Sequence, residues 1–192
     1  MDINRADIRN IFQKEMKNCT HILIQLEISI EAIKEIICIC NELNIKLIID
    51  AGPIRNISIN DLTGAYIVSP NKSELEALVK RKLCSLEEIK IAGRELLNNG
   101  IENVLVKMGE NGSLFLNNET EIYQKIYKVD ALDTTGAGDS YMAGFVKSLS
   151  EGNNLNEAMN YGSICGAIAV TKIGAVPSLP SLEDVNKFIE NK

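Results

Sequence analysis

Residues 133–139 read Asp-Thr-Thr-Gly-Ala-Gly-Asp and run directly into residues 140–146, Ser-Tyr-Met-Ala-Gly-Phe-Val. Apolar side chains then recur at helical spacing, at Tyr141, Met142, Phe145, Val146 and Leu149. The stretch therefore predicts a glycine-rich turn that opens a helix. Glycines permit close backbone approach, and the amides of a first helical turn lack partners within the helix, so this turn can face an anion.

Asp139 closes this turn and stands in the first turn of the predicted helix. A carboxylate placed there can take the proton of a hydroxyl as that hydroxyl attacks a phosphorus atom. The alternative is an ordinary glycine turn with an acidic helix start, and a lone G-x-G would favour it.

Composition limits the classes of function. The chain has 192 residues, 45% of them apolar, a net charge of −6 and scattered basic residues, which argues against nucleic acid or an anionic membrane as the main partner. No apolar run reaches membrane-spanning length and the start does not read as a signal peptide, so a cytoplasmic location is expected. Five cysteines without a C-x-x-C, and a single His21, argue against a zinc site.

The remaining patterns alternate between buried strands and helices. Strands are predicted at 21–26, 45–49, 65–68, 103–108, 113–116 and 121–129. Helices are predicted at 3–17, at 30–43, after Asn71, from a capping box at 85–88 to near Gly100, at 154–171 and after Ser181, with a loop over 174–181. This order predicts one mostly parallel sheet covered by helices on both faces over residues 1–192, with ligands at the carboxyl ends of the strands. Polar or flexible residues fall at those ends: Glu27, Asp50, Asn71, Gly109 and Asp133.

The run from Asp133 to Val146 resembles the second signature of the ribokinase-like (PfkB) carbohydrate kinases, D-T-x-G-A-G-D followed by a helix of small and aromatic residues. Every fixed position of that signature is present, and the resemblance extends over nearly the whole chain. It implies a three-layer αβα fold and ATP-dependent phosphoryl transfer to a sugar hydroxyl, with ribose as the expected acceptor. Asp139 matches the catalytic base, and Gly136, Ala137 and Gly138 match the anion hole.

The resemblance also implies nucleotide, sugar and metal sites. The nucleotide would contact Asn71, Gly138, Ser163 and the turn Lys107, Met108, Gly109, Glu110, Asn111 and Gly112. Glu27 and Asp139 would contact the sugar, and Glu74 would hold Mg²⁺ through water. A K⁺ site bound mainly by carbonyls aligns with Asp133, Thr135, Ala169, Lys172, Gly174 and Ser178.

Taken alone, several of these residues have simpler interpretations. Asn71 and Glu74 also fit a helix cap with an acid at its third position, and Gly109 and Gly112 fit a plain hairpin turn. Asp133 fits a turn residue, and Glu27 fits a solvated acid after a strand. Their order and spacing within the resemblance favour the functional interpretation of the whole set.

The family's glycine-glycine sugar signature and its small β lid have no counterpart in this sequence. We therefore expect a half-built sugar pocket, weak or absent activity of the chain alone, and exposed apolar surface that favours a homo-oligomer or association with a separate N-terminal half. The alternatives are a non-catalytic nucleotide-binding remnant and one half of a split kinase. A dinucleotide-binding oxidoreductase is disfavoured, because no G-x-G-x-x-G follows the first strand.

Overall fold

The computed structural model describes residues 5–16, 18–54 and 57–191. Within them, six strands form one sheet in the order β1-β2-β3-β4-β5-β6. The first four pair in parallel, with Ile48 of β2 beside Leu23 of β1 and Ile67 of β3. The strands are β1 (His21–Gln25), β2 (Lys46–Asp50), β3 (Ile67–Ser69), β4 (Asn103–Lys107), β5 (Ser113–Leu116) and β6 (Glu121–Gln124).

Helices separate most of the strands, as the alternating pattern predicts. They are α1 (Arg5–Ile11), α2 (Ile30–Glu42), α3 (Lys72–Val79), α4 (Leu86–Asn98), α5 (Ala137–Ser150), α6 (Leu155–Ala169), α7 (Ala175–Ser178) and α8 (Leu182–Glu190). Side chains of Ser29, Asn71, Ser85, Asn154 and Ser181 accept a first-turn amide of the helix that each precedes. These caps satisfy donors that the helix itself leaves without partners.

The chain divides into two compact units. Unit 1 extends to Met108 and includes Leu114–Glu121, whereas unit 2 comprises Gly109–Ser113 and the chain from Ile122 onward. Unit 1 contains a core of aliphatic side chains from the strands and their helices, among them the fully buried Ile33, Ile49 and Leu96. The buried strand segments Leu47–Ile49 and Val104–Val106 are the near-continuous apolar runs that parallel strands covered on both faces require.

Unit 2 is dominated by the packing of α5 on α6. A Cβ atom added at Gly162 would lie 2.9 Å from the carbonyl oxygen of Tyr141, and one added at Gly144 would lie 2.6 Å from Sγ of Cys165. The glycines thus allow the two helices to approach more closely than side chains would permit. Tyr127 and Phe188 extend this packing with an edge-to-face contact at 5.4 Å between ring centroids.

Four local predictions were wrong in detail. The helix predicted over 3–17 is α1 followed by a π-helical turn at Phe12–Met16, with residues 3, 4 and 17 outside the described residues. Ser85 caps α4, but the Glu88 carboxylate accepts the amide of Cys84, so no reciprocal capping box forms. Strand β6 ends at Gln124, well before residue 129, and the loop predicted over 174–181 contains α7.

Among the described helices, none combines the length and the apolar character that crossing a membrane requires.

Candidate active site

The glycine turn lies in unit 2 and has the geometry that its sequence predicts. Gly136 adopts a left-handed conformation, φ 76° and ψ 0°, at the N-terminal end of α5, and it provides no side-chain cap. The chain enters α5 through a turn in which the amide of Ala137 donates to the carbonyl of Thr134 at 3.2 Å. Gly138 and Asp139 are exposed in the first helical turn. The first-turn amides and a carboxylate are therefore presented on the same exposed turn.

Asp133 ties this turn to the segment that follows α6. Its Oδ2 accepts the amide of Gly174 at 2.9 Å, and its Oδ1 accepts the amide of Thr135 at 2.9 Å and the Thr135 hydroxyl at 2.7 Å. Hydrogen bonds hold the pKa of the Asp133 carboxyl below its ordinary value. The bond from the Gly174 amide has the largest effect, and the two from Thr135 have smaller ones. The fully buried Ser178 donates to the carbonyl of Ala175 at 2.7 Å and reaches the carbonyl of Thr135 at 3.5 Å.

Four of the six residues predicted for a monovalent cation are thus in one hydrogen-bonded group: Asp133, Thr135, Gly174 and Ser178. Ala169 is buried at the end of α6, and the amide of Lys172 donates to its carbonyl at 3.2 Å. The Lys172 side chain pairs with Asp184 at 3.4 Å, so it is engaged outside this group. The group, called the carbonyl-rich group below, contains the carbonyl oxygens of Thr135 and Ala175, and oxygen ligands of this kind suit hard cations.

The predicted nucleotide turn is a 3₁₀ turn, Gly109–Asn111, closed by Gly112, and it also belongs to unit 2. The amide of Gly112 donates to the carbonyl of Gly109 at 3.0 Å, and both glycines have positive φ. The Tyr123 hydroxyl of β6 donates to the carbonyl of Asn111 at 2.6 Å. Glu110 and Asn111 are exposed, so their polar groups face solvent on a turn whose backbone is fixed.

The two residues before this turn belong to unit 1. Met108 is buried in the core of that unit. Lys107, the last residue of β4, forms an ion pair with Asp50, the last residue of β2, and their side chains are 13% and 8% exposed. The sequence predicts Asp50 at a strand end and Lys107 within the strand 103–108, but it carries no signal for their pairing, because 57 positions separate them.

Asn71 and Glu74 form a reciprocal capping box at the start of α3. The amide of Glu74 donates to Oδ1 of Asn71 at 2.9 Å, while the amide and Nδ2 of Asn71 donate to the two carboxylate oxygens of Glu74, each at 2.7 Å. The structure therefore contains the helix cap with an acid at its third position. This cap is compatible with Mg²⁺ held through water, because each carboxylate oxygen of Glu74 can accept further hydrogen bonds from water.

Burial raises the pKa of Glu74 above its ordinary value; hydrogen bonding from Asn71 and the charge of Lys107 oppose the shift, and the charge of Asp50 adds to it. A Cβ atom added at Gly52 would lie 2.7 Å from Oε1 of Glu74, so the carboxylate rests against the loop after β2. Asp50, Glu74 and Lys107 thus form a charged group at the carboxyl ends of β2, β3 and β4.

Two predicted residues stand apart from these groups. Glu27 is exposed in the loop after β1, where the amide of Leu26 donates to the carbonyl of Gly52 at 3.1 Å. Ser163 is buried on α6, next to Gly162. Unit 1 therefore carries Glu27, Asn71, Glu74, Lys107 and Met108, and unit 2 carries the glycine turn, the nucleotide turn, the carbonyl-rich group and Ser163.

Residues 9–182 match the model of the pfkB family carbohydrate kinases. The chain belongs to this family.

Individual relatives agree with this membership. The deoxyribokinase of Salmonella typhi is 29% identical over 189 residues, which cover 98% of this chain and 60% of that protein. The structure of Arabidopsis thaliana ribokinase complexed with ribose and ATP matches with a TM-score of 0.88 at 28% identity, over 98% of this chain and 60% of that one. Phosphofructokinase-2 from Escherichia coli in complex with potassium matches with a TM-score of 0.79 at 25% identity, over 99% and 63%.

These similarities confirm the predicted ribokinase-like αβα fold with its mostly parallel sheet and the predicted membership in the carbohydrate kinase family. The chain spans about 60% of the length of these three relatives.

Proposed function

We propose that this chain is the nucleotide-binding and catalytic part of a sugar kinase that transfers the γ-phosphoryl group of ATP to a sugar hydroxyl, with ribose as the acceptor. The observation that carries the proposal is the start of α5, where a left-handed Gly136 opens the helix and Asp139 is exposed in its first turn. The structure of a relative with ribose and ATP supports the choice of substrates.

In this reaction Asp139 takes the proton of the attacking sugar hydroxyl, or orients that hydroxyl. The amides of the first turn of α5 stabilise the negative charge that develops on the transferred group, because they point outward from the helix and add to its dipole. The turn Gly109–Gly112 binds the nucleotide through its backbone. Positioning and charge stabilisation supply most of the rate acceleration in phosphoryl transfer.

The residues present fit both predicted ions. Glu74 supplies a half-buried carboxylate beside Lys107 and Asp50, and such an oxygen suits Mg²⁺, which keeps several of its waters while it binds phosphates. When bound, Mg²⁺ would offset the charge on the transferred phosphoryl group. The carbonyl-rich group at Asp133, Thr135, Gly174 and Ser178 would hold K⁺, and the structure of Escherichia coli phosphofructokinase-2 in complex with potassium supports this assignment.

Calorimetric titration of the purified chain with a non-hydrolysable ATP analogue, in Mg²⁺ and K⁺ and with or without ribose, tests the proposal. We expect nucleotide binding that requires Mg²⁺. Gly136→Ala, which places a side chain at a positive φ, should weaken it, whereas Gly152→Ala, at a positive φ with open space around it, should leave it unchanged. A folded chain that binds no nucleotide contradicts the proposal.

A second candidate is a nucleotide-binding half that associates with a separate polypeptide. One observation favours it: β1 is the end strand of the sheet among the described residues, and its Leu23 is 37% exposed. An end strand presents unpaired backbone groups to which another strand can add. Nucleotide binding that ribose does not change would support this candidate, whereas ribose-dependent release of ADP by the chain alone would contradict it.

A further inference from the structure

A buried hydrogen bond joins the two active-site segments of unit 2. The hydroxyls of Tyr141 and Ser113 lie 2.8 Å apart, and the two residues are only 8% and 1% exposed. Ser113 directly follows Gly112, which closes the nucleotide turn, and Tyr141 stands two positions after Asp139 on α5. This one bond therefore links the end of the nucleotide turn to the first turns of the catalytic helix.

The Tyr141 ring is fixed by packing that does not need its hydroxyl. A Cβ atom added at Gly162 would lie 3.2 Å from the ring, and one added at Gly166 would lie 3.7 Å from Cβ of Tyr141. The Tyr141 side chain therefore packs directly against the glycines of α6. The ring also stacks on Phe145, with 6.4 Å between centroids. A phenylalanine would occupy the same space. The hydroxyl is the group that reaches Ser113.

The opposite side of the nucleotide turn is fixed by β6 and the residue after it. A Cβ atom added at Gly112 would lie 2.1 Å from the carbonyl oxygen of Gln124, so the backbone of the turn lies directly against this strand. The Tyr123 hydroxyl holds the carbonyl of Asn111. The turn is thus held from β6 on one side and through Ser113 from α5 on the other. A loop fixed in its binding conformation loses less entropy when a ligand binds.

The chemical state of Tyr141 suits a permanent link. Burial raises the pKa of its phenol above the ordinary value, against the weaker opposing effect of the bond to Ser113. The phenol therefore stays protonated across physiological pH and keeps the hydrogen that this pair of hydroxyls shares.

We propose that Tyr141 is a positioning residue for the nucleotide, which acts through Ser113 to hold the turn Gly109–Gly112 in fixed register with the first turn of α5. The inference rests on the proposed function, since it gives the nucleotide turn its role. Tyr141 has this effect without touching the nucleotide. It keeps the binding turn and the turn that carries Asp139 at a constant spacing.

The test compares Tyr141→Phe, Ser113→Ala and the double variant for affinity toward the non-hydrolysable ATP analogue with Mg²⁺ and for thermal unfolding. Each single variant removes one of the two bonded hydroxyls and leaves the other buried without its partner. In Tyr141→Phe the hydroxyl left without a partner is that of Ser113. We expect Tyr141→Phe to bind the nucleotide roughly five- to tenfold more weakly, because one hydrogen bond that orders the nucleotide turn is lost. Its midpoint of unfolding should fall by about 2–4 °C.

The double variant separates positioning from stability. Replacing both polar partners by apolar groups can restore stability, because no buried hydroxyl is then left unpaired. We expect the double variant to regain the wild-type midpoint while its nucleotide affinity stays low. If affinity returns together with the midpoint, Tyr141 has only a structural role and the inference is overturned.

A matched control removes another hydroxyl in unit 2. Tyr127 donates to Oδ1 of Asn160 at 2.6 Å, so Tyr127→Phe loses a comparable bond away from the nucleotide turn and should keep wild-type affinity. If the wild-type chain binds the ATP analogue and Tyr141→Phe binds it equally well, only this inference is overturned and the proposed function stands. A wild-type chain that binds no nucleotide overturns the proposed function and, with it, this role of Tyr141.

Discussion

Lys107 and Asp50 form an ion pair inside unit 1, at the carboxyl ends of β4 and β2, with side chains only 13% and 8% exposed. Asp50→Asn removes the carboxylate that pairs with the largely buried Lys107 ammonium and leaves only the charge of Glu74 nearby. We therefore expect the free energy of unfolding to fall by about 3 kcal/mol, as measured by urea denaturation.

The double variant Asp50→Asn with Lys107→Met tests the cause of that loss. Because it removes both charges, it should be more stable than Asp50→Asn alone. Glu183→Gln is the matched control, since the pair of Glu183 with Lys187 is 76% and 64% exposed and should contribute little to stability. A double variant that is less stable than Asp50→Asn would show that the loss does not come from an uncompensated lysine.

Glu74 should make stability depend on pH in the opposite sense from an exposed, paired carboxyl. Burial raises its folded-state pKa above the ordinary 4.5, so the folded state favours the protonated form. Its contribution is complete below pH 4.5 and is lost as pH rises through the raised pKa. Wild type should therefore lose stability relative to Glu74→Gln as pH increases from 4.5, as measured by urea denaturation at each pH.

Glu121 provides a control of opposite sign. A hydrogen bond from Lys90 lowers its pKa below the ordinary 4.5, so its contribution is present above that pH and is lost as pH falls. Wild type should lose stability relative to Glu121→Gln on acidification. Parallel pH profiles for the two variants would contradict the assignment of burial as the dominant effect at Glu74.

The sequence predicts the buried parallel strands well, because strands covered on both faces need continuous apolar runs such as Leu47–Ile49 and Val104–Val106. It predicts too long a β6. The alternation of apolar and polar residues continues to Tyr127 and Val129. Tyr127 instead packs on Phe188 of α8 within unit 2, and β6 ends at Gln124. Helix α7 was missed because Pro177 indicates a loop. Proline is tolerated in a first helical turn, where its missing amide has no acceptor.

The candidate site divides in the same way. The Asn71–Glu74 box and the glycine start of α5 are local, so the sequence alone predicts them. The bond from Gly174 to Asp133 joins residues 41 positions apart, and only the family resemblance brings these residues together in advance. Asp50 with Lys107 and Ser113 with Tyr141 were not predicted, because their pairing depends on strand order and helix packing.

The two glycines of the nucleotide turn should differ in their tolerance of a side chain. Gly112 combines φ +82° with an added Cβ only 2.1 Å from the carbonyl oxygen of Gln124, whereas Gly109 has φ +57° and nothing within 4 Å. We expect Gly109→Ala to cost about 1 kcal/mol from its backbone conformation alone. Gly112→Ala should cost at least about 3 kcal/mol, since the backbone of Gln124 must also move. Urea denaturation measures both, and equal losses would contradict the overlap at Gly112.

Asp133 should couple the response to potassium to the shape of the glycine turn. Its carboxylate accepts the amides of Gly174 and Thr135, and these donors hold its pKa below the ordinary 3.8. Its contribution to stability is therefore present above that pH and is lost as pH falls through the lowered pKa.

Asp133→Asn puts an amide hydrogen against one of these donors and loosens the group of carbonyls around Thr135 and Ser178. In wild type, replacing K⁺ with Li⁺ should weaken binding of the ATP analogue, measured by calorimetry. Asp133→Asn should bind weakly in both salts, because the cation no longer finds its ligands in place, whereas the exposed Asp130→Asn should keep the full difference. If Asp133→Asn retains the wild-type preference for K⁺, the carboxylate is only a turn residue, and the cation site lies elsewhere or does not exist.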